Sequence, residues 1–151
     1  MGTKITGKNG VVYYGTDIVA EQVSWSMSGF SMPVTAAATP FGDTIKVYEA
    51  ADAGEPGTID FNGNYDPTVQ GTTGVHALLK AACAAGTHLG TTAANSIYLY
   101  ANTSTLWRVA AGGYIIVTKA DAITLPRNAF GTIAFSGQVS TQAMEQVGTG
   151  T

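Results

Sequence analysis

The stretch Thr58-Ile59-Asp60-Phe61-Asn62-Gly63-Asn64-Tyr65-Asp66 alternates without a break. Ile59, Phe61, Gly63 and Tyr65 fall on one side, and Thr58, Asp60, Asn62, Asn64 and Asp66 on the other. Successive side chains of a strand point to opposite faces, so a period of two marks a half-buried strand with one polar face. The oxygen-bearing side also looks like the start of a calcium loop. An EF-hand loop needs its glycine at position six and a bidentate acid at position twelve. Counted from Asp60, Gly63 stands fourth and Gly71 twelfth, so the strand reading is preferred.

The same period extends in both directions. From Asp17 to Phe30, Val19, Glu21, Val23, Trp25 and Met27 alternate with Ile18, Ala20, Gln22, Ser24, Ser26 and Ser28, which predicts one long strand. A short strand over Val11 to Tyr14 follows the Asn9-Gly10 pair, a tight-turn signal. Ile133, Phe135, Gly137 and Val139 alternate with Thr132, Ala134, Ser136, Gln138 and Ser140. Ile97 to Ala101, Leu106 to Val109 and Tyr114 to Lys119 add shorter strands, giving a mostly antiparallel β domain. One segment differs. Val75, Leu78, Leu79, Ala82 and Cys83 recur at helical spacing, with Thr72 or Thr73 placed to cap the start and Gly86 the end. A helix over about residues 73–85 is predicted, with His76 and Lys80 on its solvent side. The stretch from Ser31 to Pro56 is rich in Ala, Pro, Gly and Thr, with only Ile45 to Tyr48 extended. It reads as a long loop or loose hairpin of the kind that a partner orders.

Composition narrows the function. The 151 residues carry 11% charged and 45% hydrophobic residues, with a net charge of −3. A typical domain has about 25% charge, so this surface is expected to be covered by something. The mild acidity argues against a protein that grips phosphates. His76 and His88 lack metal-ligand spacing to a second ligand, and Cys83 sits on the apolar helical stripe, where a structural thiol is expected. No serine lies in a Gly-x-Ser-x-Gly elbow and no Gly-rich phosphate loop follows a strand. The expectation is a non-enzyme without cofactor or metal. Met1 to Gly10 has no apolar core of a signal peptide and no apolar run reaches membrane-spanning length, so no membrane anchor is expected.

Several short elements, in order, resemble the tail tube (major tail) proteins of long-tailed bacteriophages. They are Gly7-Lys8-Asn9-Gly10-Val11-Val12-Tyr13 with Gly15, Val19, Val23 and Ser24-Trp25-Ser26; Phe41-Gly42-Asp43; Gly63-Asn64-Tyr65-Asp66-Pro67; and Phe130-Gly131-Thr132-Ile133-Ala134-Phe135-Ser136-Gly137 running into a Gly-rich tail. The resemblance implies a single tail-tube-like domain over residues 1–151, an antiparallel β-sandwich or rolled barrel with one flanking α-helix and the long loop at about 31–56. It further implies homohexameric rings stacked into a tube, a conduit for DNA ejection into the host. Strands of six subunits would close one barrel, and the loop would reach the next ring.

On that resemblance the polar strand faces, Ser24, Ser26, Asp60, Asn62, Asp66, Ser136 and Gln138, are candidates for the lumen or the exterior. Phe41, Gly42, Asp43, Lys46, Tyr48 and Glu49 are candidates for the inter-ring contact. Implied partners are further copies of the chain, adjacent tail proteins and double-stranded DNA that passes without specific binding. The implied location is the virion tail, assembled in the host cytoplasm. A capsid-decoration or adhesin-like domain is the alternative, since it would share the low charge.

Overall fold

The computed structural model describes residues 10–19, 24–37, 45–51, 53–65, 75–102 and 104–148. Eleven strands and one helix are assigned among them: β1 (Val11–Tyr14), β2 (Asp17–Ile18), β3 (Ser24–Met27), β4 (Val34–Ala36), β5 (Tyr48–Ala50), β6 (Thr58–Asn64), α1 (Val75–Ala85), β7 (Ile97–Tyr100), β8 (Leu106–Val109), β9 (Tyr114–Thr124), β10 (Thr132–Ser140) and β11 (Met144–Val147). They form a five-stranded sheet in the order β11-β8-β7-β1-β2, a four-stranded sheet in the order β3-β6-β10-β9, and the separate pair β4-β5. Every strand pair is antiparallel. The mainly β, antiparallel architecture with one helix is the one expected.

The core follows from the alternation. Ile59 and Phe61 of β6 and Ile133, Phe135 and Val139 of β10 are buried from one layer; Val12, Ile97, Leu99 and Val109 are buried from the other. Phe61 and Phe135, paired across β6 and β10, stack with centroids 5.3 Å apart. Gly137 permits this packing: a Cβ there would stand 2.8 Å from Ile115 Cγ2 and 3.2 Å from Ile59 Cγ1. Gly15 serves the β1–β2 turn differently. Its φ is +64°, which costs glycine little, and its N–H donates to the Ser96 carbonyl at 2.8 Å.

Five expectations are corrected. The stretch from Asp17 to Phe30 is not one strand of one sheet: β2 belongs to the five-stranded sheet and β3 to the four-stranded one. Its alternation survives, with Val19 buried, Ile18 half exposed and Ser24, Ser26 and Ser28 exposed. Alternation reports which face is apolar but not which layer receives it. Residues 20–23, within that stretch, lie outside the described residues, as do the capping candidates Thr72 and Thr73.

The helix presents a different stripe. Val75, His76, Leu79 and Ala82 are buried, whereas Leu78 is 44% exposed and Cys83 half-buried against the core. His76, expected on the solvent side, is 1% exposed. Its Nε2–H donates to the Val19 carbonyl, and its ring lies 5.4 Å from that of Phe135. The physical reason is the crossover: Val19 sits where the chain leaves the first sheet, and its buried carbonyl takes a side-chain donor. Lys80 is exposed as expected, 3.9 Å from Asp121 Oδ2. Gly86 ends the helix at φ +64°, with Gly86 N–H donating to the Cys83 carbonyl and Thr87 N–H to the Ala82 carbonyl, a Schellman cap. His76→Leu keeps the volume but leaves the Val19 carbonyl unpaired, and we expect a loss of about 1–3 kcal/mol. Urea unfolding checks this: the midpoint should fall with the slope unchanged.

The long loop is a hairpin arm. Val34 pairs with Ala50, Thr35 with Glu49 and Ala36 with Tyr48, and a bridge joins Ser31 to Glu55 at its base. The strand lies at Tyr48–Ala50 rather than at Ile45 to Tyr48. β9 runs on to Thr124, beyond the expected Lys119, because register shifts opposite Ser136 move its inward set from Ile115 and Val117 to Ala120 and end the simple period. Finally, β10 does not run directly into a tail: β11 returns and pairs with β8. Four residues with Glu145 and Gln146 at their centre carry no alternation to find.

Candidate functional site: the polar face of the four-stranded sheet

One face of β3-β6-β10-β9 is core, which leaves the other free. The register places Ser24, Asn62, Ala134 and Ala122 in one row across it. The next row is Ser26, Asp60, Ser136 and Lys119, and a third contains Thr58, Gln138 and Ile116. Six of the seven polar residues singled out from the sequence therefore share one surface; Asp66 lies outside the described residues. Thr58, read on the polar side of its strand, joins them, and Lys119 was missed because the β9 bulge hides which way it points.

The short side chains are tied down across the strands. Ser24 Oγ donates to Asn62 Oδ1 at 2.8 Å, and Ser136 Oγ to Asp60 Oδ1 at 2.6 Å. Thr58 Oγ1 donates to Ser28 Oγ at 3.3 Å, and Gln138 Nε2 to the Gly57 carbonyl at 2.9 Å. Cross-strand hydroxyl and amide pairs of this kind fix a flat, hydrated surface. Ser24, Ser26, Asp60, Asn62, Lys119 and Ser136 border a shallow depression of about 280 Å³. Its two charges, Asp60 and Lys119, are opposite, so the face as a whole is near neutral. Residues 58–64 form a continuous strand, so Asp60, Asn62 and Asn64 project along a line rather than curling around an ion.

Neither edge strand of this sheet has a second strand partner among the described residues. β3 pairs only with β6. β9 pairs with β10; beyond it the only backbone bridge among the described residues is Leu89 to Ile115, and α1 packs against the strand, with Lys80 3.9 Å from Asp121. Exposed edges are templates for pairing with another chain.

The arm is the second candidate. Lys46, Tyr48 and Glu49 are exposed on it, with Tyr48 at 59%; Phe41, Gly42 and Asp43 lie outside the described residues. Val34, Ile45 and Val47 are exposed as well. A two-stranded hairpin without a third layer is marginal in water, so this arm is built to be covered.

No protein-family model matches the chain and no curated protein does. The fold recurs in solved structures. A chain of the extracellular contractile injection system PVC, in its sheath-tube complex in the extended state, has a TM-score of 0.60 and 14% identity, over 95% of this chain and 93% of that one. A chain of the PVC sheath/tube terminator gives 0.62 and 12%, over 95% and 98%. A chain of the anti-feeding prophage baseplate, 6-fold symmetrised, gives 0.63 and 10%, over 100% of both. Over nearly its whole length the chain has the fold of components of tail-like tube assemblies, which bears out the tail-tube resemblance at the level of the fold.

Proposed function

We propose that this chain is a structural, non-catalytic tail tube protein whose copies form stacked hexameric rings, with the polar face of the four-stranded sheet lining the bore. The observation that carries the reading is a sheet whose two edge strands lack a second strand partner and whose free face is a near-neutral ladder of hydroxyls and amides. Pairing β3 of one copy with β9 of the next closes this sheet on itself and removes both of its edges. Six copies of four strands, at about 4.8 Å between strands and a tilt of roughly 40°, give a backbone circle about 48 Å across. Short side chains leave a bore of roughly 35–40 Å, wide enough for a hydrated duplex.

The wall chemistry fits passage rather than retention. Phosphate binding scales with the cations that release counterions. On the described part of this face the single cation, Lys119, shares a row with Asp60. The arm would meet the adjacent ring and bury Val34, Val47 and Tyr48 there. Neighbours resembling sheath-tube, terminator and baseplate components support a place among other tail proteins, in a virion or a virion-like particle. No helix among the described residues is long and apolar enough to cross a membrane. The bacteriophage setting, DNA as the cargo and assembly in the host cytoplasm belong to this proposal.

Negative-stain microscopy of the purified chain tests it. Rings or tubes with sixfold views are expected; a monodisperse monomer at high concentration overturns it. The bore assignment has its own test. Asp60→Lys with Ser136→Lys adds two positive charges and removes one negative charge per copy, a net change of three on the wall. Tubes of this variant should hold double-stranded DNA at low salt and release it steeply as salt rises, whereas native tubes should not retain it. Equal retention by both overturns the placement of this face in the bore.

A further inference from the structure

Two exposed apolar clusters stand at opposite ends of the four-stranded sheet. The arm leaves the end where Met27 pairs with Ile59. Its ladder continues that of β3 and β6: Ser28 N–H donates to the Thr58 carbonyl, Ser31 and Glu55 exchange backbone hydrogen bonds, and Val34 pairs with Ala50. At the other end of β6, Asn64 pairs with Thr132, the first residue of β10 after the β9–β10 turn. β6 is seven residues long, which at a strand's rise puts about 20 Å between the two ends.

The turn is as apolar as the arm. Ile123 is 40% exposed, Leu125 68% and Phe130 83%, and Arg127 is the single charge of residues 123–131. The turn is held in place from below. Leu125 lies on Gly131, where a Cβ would stand 2.5 Å from the leucine Cδ2, and Tyr65 N–H donates to the Gly131 carbonyl at 2.8 Å. The arm in turn exposes Val34, Ile45, Val47 and Tyr48. Residues 31–56 also hold Asp43, Glu49, Asp52 and Glu55 against Lys46 alone, so the chain's whole net charge of −3 resides in this segment.

We propose that the β9–β10 turn is the seat for the arm of a second copy in the adjacent ring, with Leu125 and Phe130 as its apolar contact and Arg127 facing the arm's acids. The inference rests on the reading above, which stacks rings through the arm and leaves its seat unassigned. Neighbouring exposed apolar side chains mark a surface that is covered. An acidic apolar arm and a cationic apolar turn match in both respects, and complementary charge selects the partner and its orientation. Ring closure uses the edges of β3 and β9, whereas this turn lies at a strand end, off that seam. Arm and seat are different surfaces, so the contact is heterologous: each copy gives its arm on one side and receives another's on the opposite side, and the series stays open. The two ends of a tube then differ in chemistry, with free arms at one and free seats at the other.

Oxidative footprinting of the native chain, before assembly and in tubes, reads Phe130 and Tyr48, with buried Phe135 as the control. Both should lose labelling about tenfold in tubes, as a desolvated interface requires. Equal labelling of Phe130 in the two samples overturns the proposal. Crosslinking reads the partner. In a Cys83→Ser background, chains with Tyr48→Cys and chains with Phe130→Cys are mixed in equal amounts, assembled and treated with a short bis-maleimide. The expected product in tubes joins one chain of each kind, and tubes without it overturn the proposal. The same product in single rings fractionated from the mixture places the contact within a ring and overturns it as well. Footprinting needs no substitution and decides alone where a variant does not assemble. Failure of the native chain to form tubes overturns the reading beneath, and this seat with it.

Discussion

Phe135→Ala should unfold about 8–15 °C below the native chain. Phe135 is fully buried on β10 and packs on Phe61 of β6 in its own sheet and on the ring of His76 from α1. Truncation removes the transfer free energy of the ring and leaves a cavity between elements that cannot all close on it. Substitutions of this kind cost about 3–5 kcal/mol, a large part of the roughly 5–15 kcal/mol that holds a domain folded. The effect should exceed that of His76→Leu, which keeps its volume. Thermal unfolding followed by circular dichroism reads both. A loss under about 1 kcal/mol for Phe135→Ala would mean that the two layers and the helix do not meet at this ring.

Removing the arm should separate folding from assembly. Ala51 N–H donates to the Pro33 carbonyl at 3.0 Å, so the two ends of the arm already touch. Replacing Val34–Ala50 by two glycines spans that gap without moving the base. Of the removed residues that are described, Val34–Ala36 and 45–50 are exposed and Ala37 is half-buried, so their removal takes no fully buried side chain from the core. Shortening a loop changes its closure entropy by only about 1 kcal/mol, and the unfolding midpoint should stay near that of the native chain. Assembly should change completely: rings should still close through β3 and β9, but they should not stack into tubes. Sedimentation and microscopy of the same sample read this. Tubes of native length from the shortened chain would remove the arm from the ring-to-ring contact; loss of folding would show that it belongs to the core.

Much of the site was legible because a strand with one wet face writes itself into sequence. Ser24, Ser26, Asp60, Asn62, Ser136 and Gln138 each alternate with apolar neighbours, so their outward direction required no tertiary knowledge. Their assembly into one surface did require it, since β3, β6 and β10 come from separate parts of the chain. Lys119 was lost for a local reason: the bulges in β9 shift its phase, and Asp121 takes a φ of +54° there. His76 was misplaced for a non-local one. A helix stripe drawn from apolar residues alone assigns a histidine to solvent, whereas the Val19 carbonyl and the Phe135 ring make a buried place for it.

The sequence by itself determined the class: alternating apolar and small-polar positions, one helical stripe and 11% charge specify a half-buried antiparallel β protein with a sparsely charged surface. Period and composition are local properties, and they survive folding unchanged. Only the tertiary structure decided that β2 and β3 part into different layers, that Val34–Ala36 and Tyr48–Ala50 pair as a separate hairpin, and that the two free faces differ, one of serine, asparagine and aspartate, the other of tyrosine and leucine. Each of these depends on which strand pairs with which, a choice set by long-range burial, and residues far apart in the chain carry no mark of it until they meet.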